Sequence, residues 1–320
     1  MSTRRAVRSG GLAERALSRR GFLAGSAAAL AAGLAACSRE SPVSSSGGAA
    51  ASTSGSRGSL TIGAIPDQDP EVLQRLYGTL ADSMSEALDL DVVYQPVTDY
   101  GAAVSLFRTG DLDLVWFGGL TGVQGRLQTP GAEPIAQRDI DESFTSVFVV
   151  NPATGLTPAD DLTPLADLRF TYGSETSTSG RLMPAYFLSE QSVDPQGFPG
   201  GPGFSGSHDA TISLVSSGSY QAGVLNEQVW NARVEDGTVD PAAVVQYART
   251  PAYHDYHWLL SPQAVERLGD DLPDRLLEYL TGLPAGGEVL ELFGAGSFIP
   301  TEAANYTQIE AIGRDLGLIS

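Results

Sequence analysis

The stretch Thr171-Tyr172-Gly173-Ser174-Glu175-Thr176-Ser177-Thr178-Ser179-Gly180-Arg181-Leu182-Met183-Pro184 decides how the chain reads. A β-type run, residues 168–172, leads into it, and a helix-like run, residues 181–190, leads out. Hydroxyls and a glycine therefore sit where a helix begins. The first turn of a helix carries N–H groups without intrahelical partners and a partial positive charge. Free N–H groups beside hydroxyls suit an oxyanion such as phosphate, phosphonate or sulfate. The simpler reading is that Ser179 caps its helix. Recurrence of such turns along the chain favours the anion.

Working outward, residues 59–150 alternate strand and helix patterns. Residues 60–65, 91–97, 112–117, 133–138 and 144–150 read as strands. Residues 71–88 place apolar side chains at helical spacing, with Pro70 at the first helical position. Residues 151–167 contain three prolines and read as a connection to a second unit. There strands 168–172, 222–225 and 243–247 alternate with helices, and residues 210–216 read as a helix. Thr250-Pro251 looks like a return crossing, followed by the extended residues 253–261 and a mostly helical end. Alternation of this kind predicts an α/β fold of doubly wound, parallel sheets in two lobes. Lobe 1 is expected over residues 59–150 plus 251–320, and lobe 2 over 151–250. Ligands of such sheets bind where strand ends meet helix starts. Four turns qualify, two in each half: Asp99-Tyr100-Gly101, Phe117-Gly118-Gly119, Ser177-Thr178-Ser179-Gly180 and Ser207-His208-Asp209.

The 320 residues suffice for two domains of ordinary size. The single cysteine, Cys37, excludes an intramolecular disulfide and a Cys-based zinc site. Every basic side chain is Arg, and none is Lys. The net charge of −19 argues against nucleic acid as a partner. It does not exclude a small anion, because the diffuse field is screened beyond roughly 8 Å at physiological salt. No Gly-x-Ser-x-Gly elbow, His-x-x-x-His pair or dinucleotide motif is present, so no enzyme, cofactor or metal is expected. His254 and His257 read as structural or rim residues. Arg138 and Arg181 read as surface ion pairs or as contacts to an anion.

Residues 1–36 carry a different pattern. Ser18-Arg19-Arg20-Gly21-Phe22-Leu23 resembles a twin-arginine export motif, and an apolar run too short for a stable span follows. The run ends in Leu34-Ala35-Ala36-Cys37, which resembles a bacterial lipobox. That resemblance implies cleavage before Cys37, lipidation of its thiol and anchorage on the outer face of the cytoplasmic membrane. Residues 37–58, rich in Ser, Gly and Ala, read as a disordered tether.

The region 60–319 resembles the phosphate/phosphite/phosphonate-binding proteins of bacterial ABC importers, within the type II periplasmic-binding fold. The resemblance is carried by Ile65-Pro66, Val97-Thr98-Asp99-Tyr100, Asp113-Leu114-Val115-Trp116-Phe117-Gly118, Ser177-Thr178-Ser179-Gly180, Ser205-Gly206-Ser207-His208-Asp209 and Asp255-Tyr256-His257-Trp258. It implies a monomeric receptor that closes two lobes on a tetrahedral oxyanion and serves a permease and an ATPase. It assigns the anion to Ser177, Thr178, Ser179 and His208, with Ser207 beside them and Tyr100, Gly118 and Tyr256 opposite. Phe117 stands where relatives often carry a tyrosine, so a hydroxyl is missing there. Asn226 stands near where relatives that take aminoalkyl phosphonates use carboxylates, which disfavours an amino-bearing ligand. Leu225-Asn226-Glu227-Gln228-Val229-Trp230 and Phe298-Ile299-Pro300-Thr301 also resemble a subgroup labelled as selenate binders. The alternatives are therefore a selenate-type receptor, or a sensory protein that hands its ligand to a membrane kinase.

Overall fold

The computed structural model describes residues 58–319. The expected export signal, Cys37 and nearly all of the tether lie outside them. Gly58, the last residue assigned to the tether, already joins the first sheet, its carbonyl accepting from Asp91 N–H at 2.8 Å.

In chain order the elements begin with β1 (Ser59–Ala64), α1 (Pro70–Leu88), β2 (Asp91–Tyr94), α2 (Tyr100–Thr109), β3 (Leu114–Phe117), α3 (Gly119–Gln128) and β4 (Glu133–Arg138). There follow β5 (Ser146–Val150), β6 (Phe170–Tyr172), α4 (Met183–Glu190), β7 (Gly203–Phe204), α5 (His208–Ser216), β8 (Ala222–Asn226), α6 (Glu227–Glu235) and β9 (Val245–Arg249). The chain ends with β10 (His257–Leu260), α7 (Pro262–Leu268), α8 (Leu272–Thr281), α9 (Glu288–Phe293), β11 (Phe298–Pro300) and α10 (Thr307–Asp315). Helix α1 shows why these boundaries fall where they do. Asp69 accepts the N–H of Glu71, Pro70 needs no donor at its place, and Leu73, Leu76, Tyr77, Leu80, Met84 and Leu88 line the buried face.

Two sheets form, one per lobe. The first has the order β11-β4-β10-β3-β1-β2 and the second β7-β6-β8-β5-β9. Two expectations need correcting. Residues 146–150 were assigned to lobe 1, but β5 pairs with β8 and β9 in the second sheet. The sheets are also mixed rather than parallel, because β10 lies antiparallel to β3 and β4, and β5 antiparallel to β8. The physical reason is common to both. A parallel neighbour needs a crossover helix, whereas β5 and β10 enter their sheets directly from the other lobe. Just before β5, Phe144 and Tyr253 form a bridge, exchanging N–H···O bonds of 2.8 and 2.9 Å. The two connections between lobes thus run side by side. Each lobe has its own core: one around Leu60, Val115 and Trp258, the other on both faces of the second sheet, around Phe170 and Val147.

Candidate functional site

The Ser177-Thr178-Ser179-Gly180 turn is wound as a π-helical turn, Thr178–Leu182, ahead of α4. Pro184 explains the winding. It has no N–H, so carbonyls one turn earlier lack their helical donor. The carbonyl of Ser179 instead accepts from Ser146 Oγ at 2.7 Å. That of Gly180 accepts from Gly173 N–H at 2.8 Å. Ser177, not Ser179, is the cap, its Oγ accepting from Gly180 N–H at 2.9 Å. Ser177, Thr178 and Ser179 are all buried. Wide turns of this kind recur at functional sites.

The first lobe meets this turn with the start of α3. Leu120 N–H donates to Thr178 Oγ1 and Gly119 N–H to Asp255 Oδ1, each at 2.9 Å. A Cβ at Gly118 would stand 3.1 Å from Thr178 Oγ1 and 3.2 Å from Asp255 Oδ1, so this close approach wants glycine. The same bonds show that Thr178 ties the lobes together, and that two helix-start amides are already spoken for. Tyr100, at the start of α2, is buried, and its hydroxyl lies beside Ser177 without reaching hydrogen-bonding geometry. Phe117 is placed elsewhere: its ring packs edge-on against Phe107 in the core of the first lobe.

A second group centres on the Tyr256 hydroxyl. It donates to Asp67 Oδ2 at 2.8 Å and accepts from Asn226 Nδ2 at 3.2 Å. His208 Nε2 lies 3.4 Å from the same oxygen, while Asn226 N–H points at His208 Nδ1 across 3.4 Å. Nδ1 accepts in this network, which assigns the proton to Nε2. Burial pulls His208 down to about 4, so the ring enters as a neutral donor. Burial lifts Asp67 to about 6 against the opposing Tyr256 bond and the Arg138 charge. The His208 backbone N–H donates to Asp67 O at 2.9 Å, another tie between lobes. Ser207 caps α5 through Ala210 N–H at 3.2 Å, so that helix opens at His208, two residues earlier than expected.

Asp67 and Asp255 were not assigned to the site from sequence. Asp67 sits in a Pro-rich turn and Asp255 in the stretch Asp255-Tyr256-His257-Trp258, and neither position looks buried in the sequence. Asp255 is fully buried, its Oδ2 has no partner among the described residues, and burial lifts it to about 7 despite the Gly119 bond. An orphaned buried carboxylate oxygen beside a hydroxyl turn is a candidate acceptor for a guest's proton. Both surface ion-pair expectations need correcting. Arg138 is buried and clamps Asp141 with two bonds of 2.7 Å, among the rings of Trp116, Phe144 and Tyr256. Arg181 is buried with its guanidinium 4.3 Å from the Tyr172 ring centre and no carboxylate partner among the described residues. Both guanidiniums lie against aromatic faces, which carry partial negative charge, and Arg138 has its paired acid as well. His257 is buried against Tyr306, with ring centroids 4.1 Å apart. Among the described residues no cluster of His, Cys, Asp and Glu could hold a metal.

Residues 62–306 match the family described as the periplasmic phosphonate substrate-binding proteins of ABC transporters. The chain belongs to that family. It is a solute-binding component of a transport system working outside the cytoplasm, and not an enzyme. One relative, from Prochlorococcus marinus (strain MIT 9301), is named "Probable ABC transporter phosphite binding protein PhnD1". It is 47% identical over 268 residues, covering 81% of this chain and 90% of its own length. The solved structure of PhnD1 from that organism in complex with methylphosphonate superposes with a TM-score of 0.79 at 46% identity, covering 82% of this chain and 99% of that one. A phosphonate-transporter binding component from Pseudomonas aeruginosa, 17% identical with a TM-score of 0.67 over 80% of this chain and 85% of its own, shares the fold. For a periplasmic binding protein, the bonds between Thr178 and α3 and between His208 and Asp67 describe two lobes shut against one another. Among the described residues, no helix is long and apolar enough to cross a membrane.

Proposed function

We propose that this protein captures phosphite or a small alkylphosphonate such as methylphosphonate, and presents it to the permease and ATPase of an importer. The observation that carries the reading is the buried Ser177-Thr178-Ser179 turn facing the Tyr100 hydroxyl and the orphaned Asp255 oxygen. The similarity to a protein named for phosphite and to a structure holding methylphosphonate supports it. In this reading Ser177, Ser179, Tyr100 and the neutral His208 donate to the anion's oxygens. Thr178, Gly118 and Asn226 hold the walls, and Tyr256 with Asp67 limits the space. Asp255 Oδ2 shares the one proton a singly ionised phosphonate retains. Selenate at neutral pH carries no such proton, and a dianion would face the carboxylates of Asp255 and Asp67 across a low-dielectric gap. The carboxylates therefore favour the phosphorus oxyanions over the selenate alternative.

Titration calorimetry against phosphite, methylphosphonate, phosphate, sulfate and selenate tests the reading. Micromolar or tighter binding of the first two is expected, and a preference for selenate would overturn it. The reading extends to a monomeric receptor anchored through a lipid on Cys37, supported by Leu34-Ala35-Ala36-Cys37. A Cys37→Ser variant should then leave the membrane fraction for the soluble one, and its retention on the membrane would remove the anchor.

A further inference from the structure

A separate set of bonds between the lobes lies outside the donor turn. Gln228, the second residue of α6, spends both ends of its amide on the opposite lobe. Its Oε1 accepts from Arg138 Nη1, and its Nε2 donates to the Phe293 carbonyl at 2.7 Å. Arg138 Nη1 also reaches that carbonyl at 3.0 Å, closing a three-membered arrangement. The receiving side is rigid: Arg138 is fixed by Asp141, and Phe293 is wedged among Tyr77, Trp116 and Phe298. Gly294, at φ +59, has no Cβ to collide with the Gln228 amide, so the neighbouring backbone is shaped to admit it. Gln228, Arg138 and Phe293 line one side of a cavity of about 210 Å³ between the lobes, whose lining also includes Asp67, Asn226 and Tyr256. Elsewhere between the lobes Asp69 N–H donates to Asp209 Oδ2 at 2.9 Å, a lesser tie of the same kind. Among the described residues, Gln228 forms no hydrogen bond with Ser177, Ser179, Tyr100, His208 or Asp255.

We infer that Gln228 is the latch of the closed receptor, setting how long the lobes stay shut without taking part in the choice of guest. The inference rests on the receptor reading above. A bond made only when the lobes meet stabilises the closed form alone. Removing it lowers the closed population by one factor, and the apparent affinity for every guest falls by that same factor. A residue that touched the anion would instead change one guest relative to another.

The test compares Gln228→Ala and Gln228→Leu with the wild type, using methylphosphonate and phosphite in stopped-flow and calorimetric titrations. Leu keeps the bulk and removes both hydrogen bonds. Off-rates of both anions are expected to rise about tenfold, with on-rates unchanged and the ratio of the two Kd values held within about twofold. Unchanged off-rates in both variants would overturn the latch, as would a ratio shifted tenfold or loss of the folded state in both. Failure of the wild type to bind either anion would overturn the ligand reading instead, and the latch with it.

Discussion

The second lobe brings Ser177, Ser179 and His208 to the crevice on two helix starts, each built by residues adjacent in sequence. The first lobe brings Asp67, Tyr100, Gly118 and Asp255 from the ends of separate strands and from a stretch that has just crossed back. One wall is a local device and the other a product of topology. Their chemistry differs in parallel. The local wall offers serine hydroxyls and a neutral imidazole, groups able to donate. The assembled wall holds two buried carboxylates whose protons are held more tightly than usual. In the proposed reading, attraction for an anion comes from the local wall, while a preference for one protonation state comes from the carboxylates of the other.

The largest expected effect tests the donor wall. A Ser177→Ala, Ser179→Ala double variant should weaken methylphosphonate binding at least about 100-fold by calorimetry, since bonds to a charged group contribute roughly 1.5–3 kcal/mol each. Unchanged affinity would remove the turn from the site. Next comes the opposite wall. Asp255→Asn still accepts from Gly119 but cannot share the guest's proton, so methylphosphonate affinity should drop about tenfold or more while sulfate and selenate lose less. The same variant sharpens the comparison through stability. Asp255 titrates near 7 when folded against 3.8 in its ordinary state. Its contribution is therefore greatest below 3.8 and is lost as pH rises to about 7. Asp255→Asn should accordingly raise the unfolding free energy of the ligand-free protein at pH 8 by up to roughly 4 kcal/mol, and its melting point with it, and lose that advantage toward pH 4. A lower melting point at pH 8 would show that the carboxylate is not strained by burial.

The smallest effect belongs to His208 and runs the other way. Its folded value of about 4 lies below the ordinary 6.5. The unfolded chain therefore binds more protons between these values, and stability is full above about 6.5 and lost as pH falls toward 4. The stability difference between the wild type and His208→Gln should shrink by about 1–2 kcal/mol from pH 7 to pH 5. A constant difference would mean that the imidazole is not held neutral.

This contrast also explains what could be read from the chain. The Ser177 turn, the helix start near His208 and the period of α1 are local patterns, and each is legible in the sequence, the exact caps excepted. Residues 146–150 show a good strand pattern, but nothing within them says which sheet they join. That is set by their antiparallel pairing with β8, some seventy-five residues away. Asp67 and Asp255 read as ordinary loop acids because Asp67 is buried by Tyr256 and Asp255 by α3, each remote in sequence from the acid it covers. The burial of Arg138 is hidden from the sequence for the same reason. An acidic chain offers many surface partners to an arginine, and only the fold shows that this one is sealed among aromatic rings.

Pro184 touches none of the groups proposed to hold the guest, yet the seat they form depends on a hydrogen atom that its ring lacks. Supply that atom, as Pro184→Ala would, and a regular winding could reclaim the carbonyls of Ser179 and Gly180 from Ser146 and Gly173. The turn would tighten, and its hydroxyls would be repositioned. What the receptor can hold is shaped, one helical turn away, by a donor that was never there.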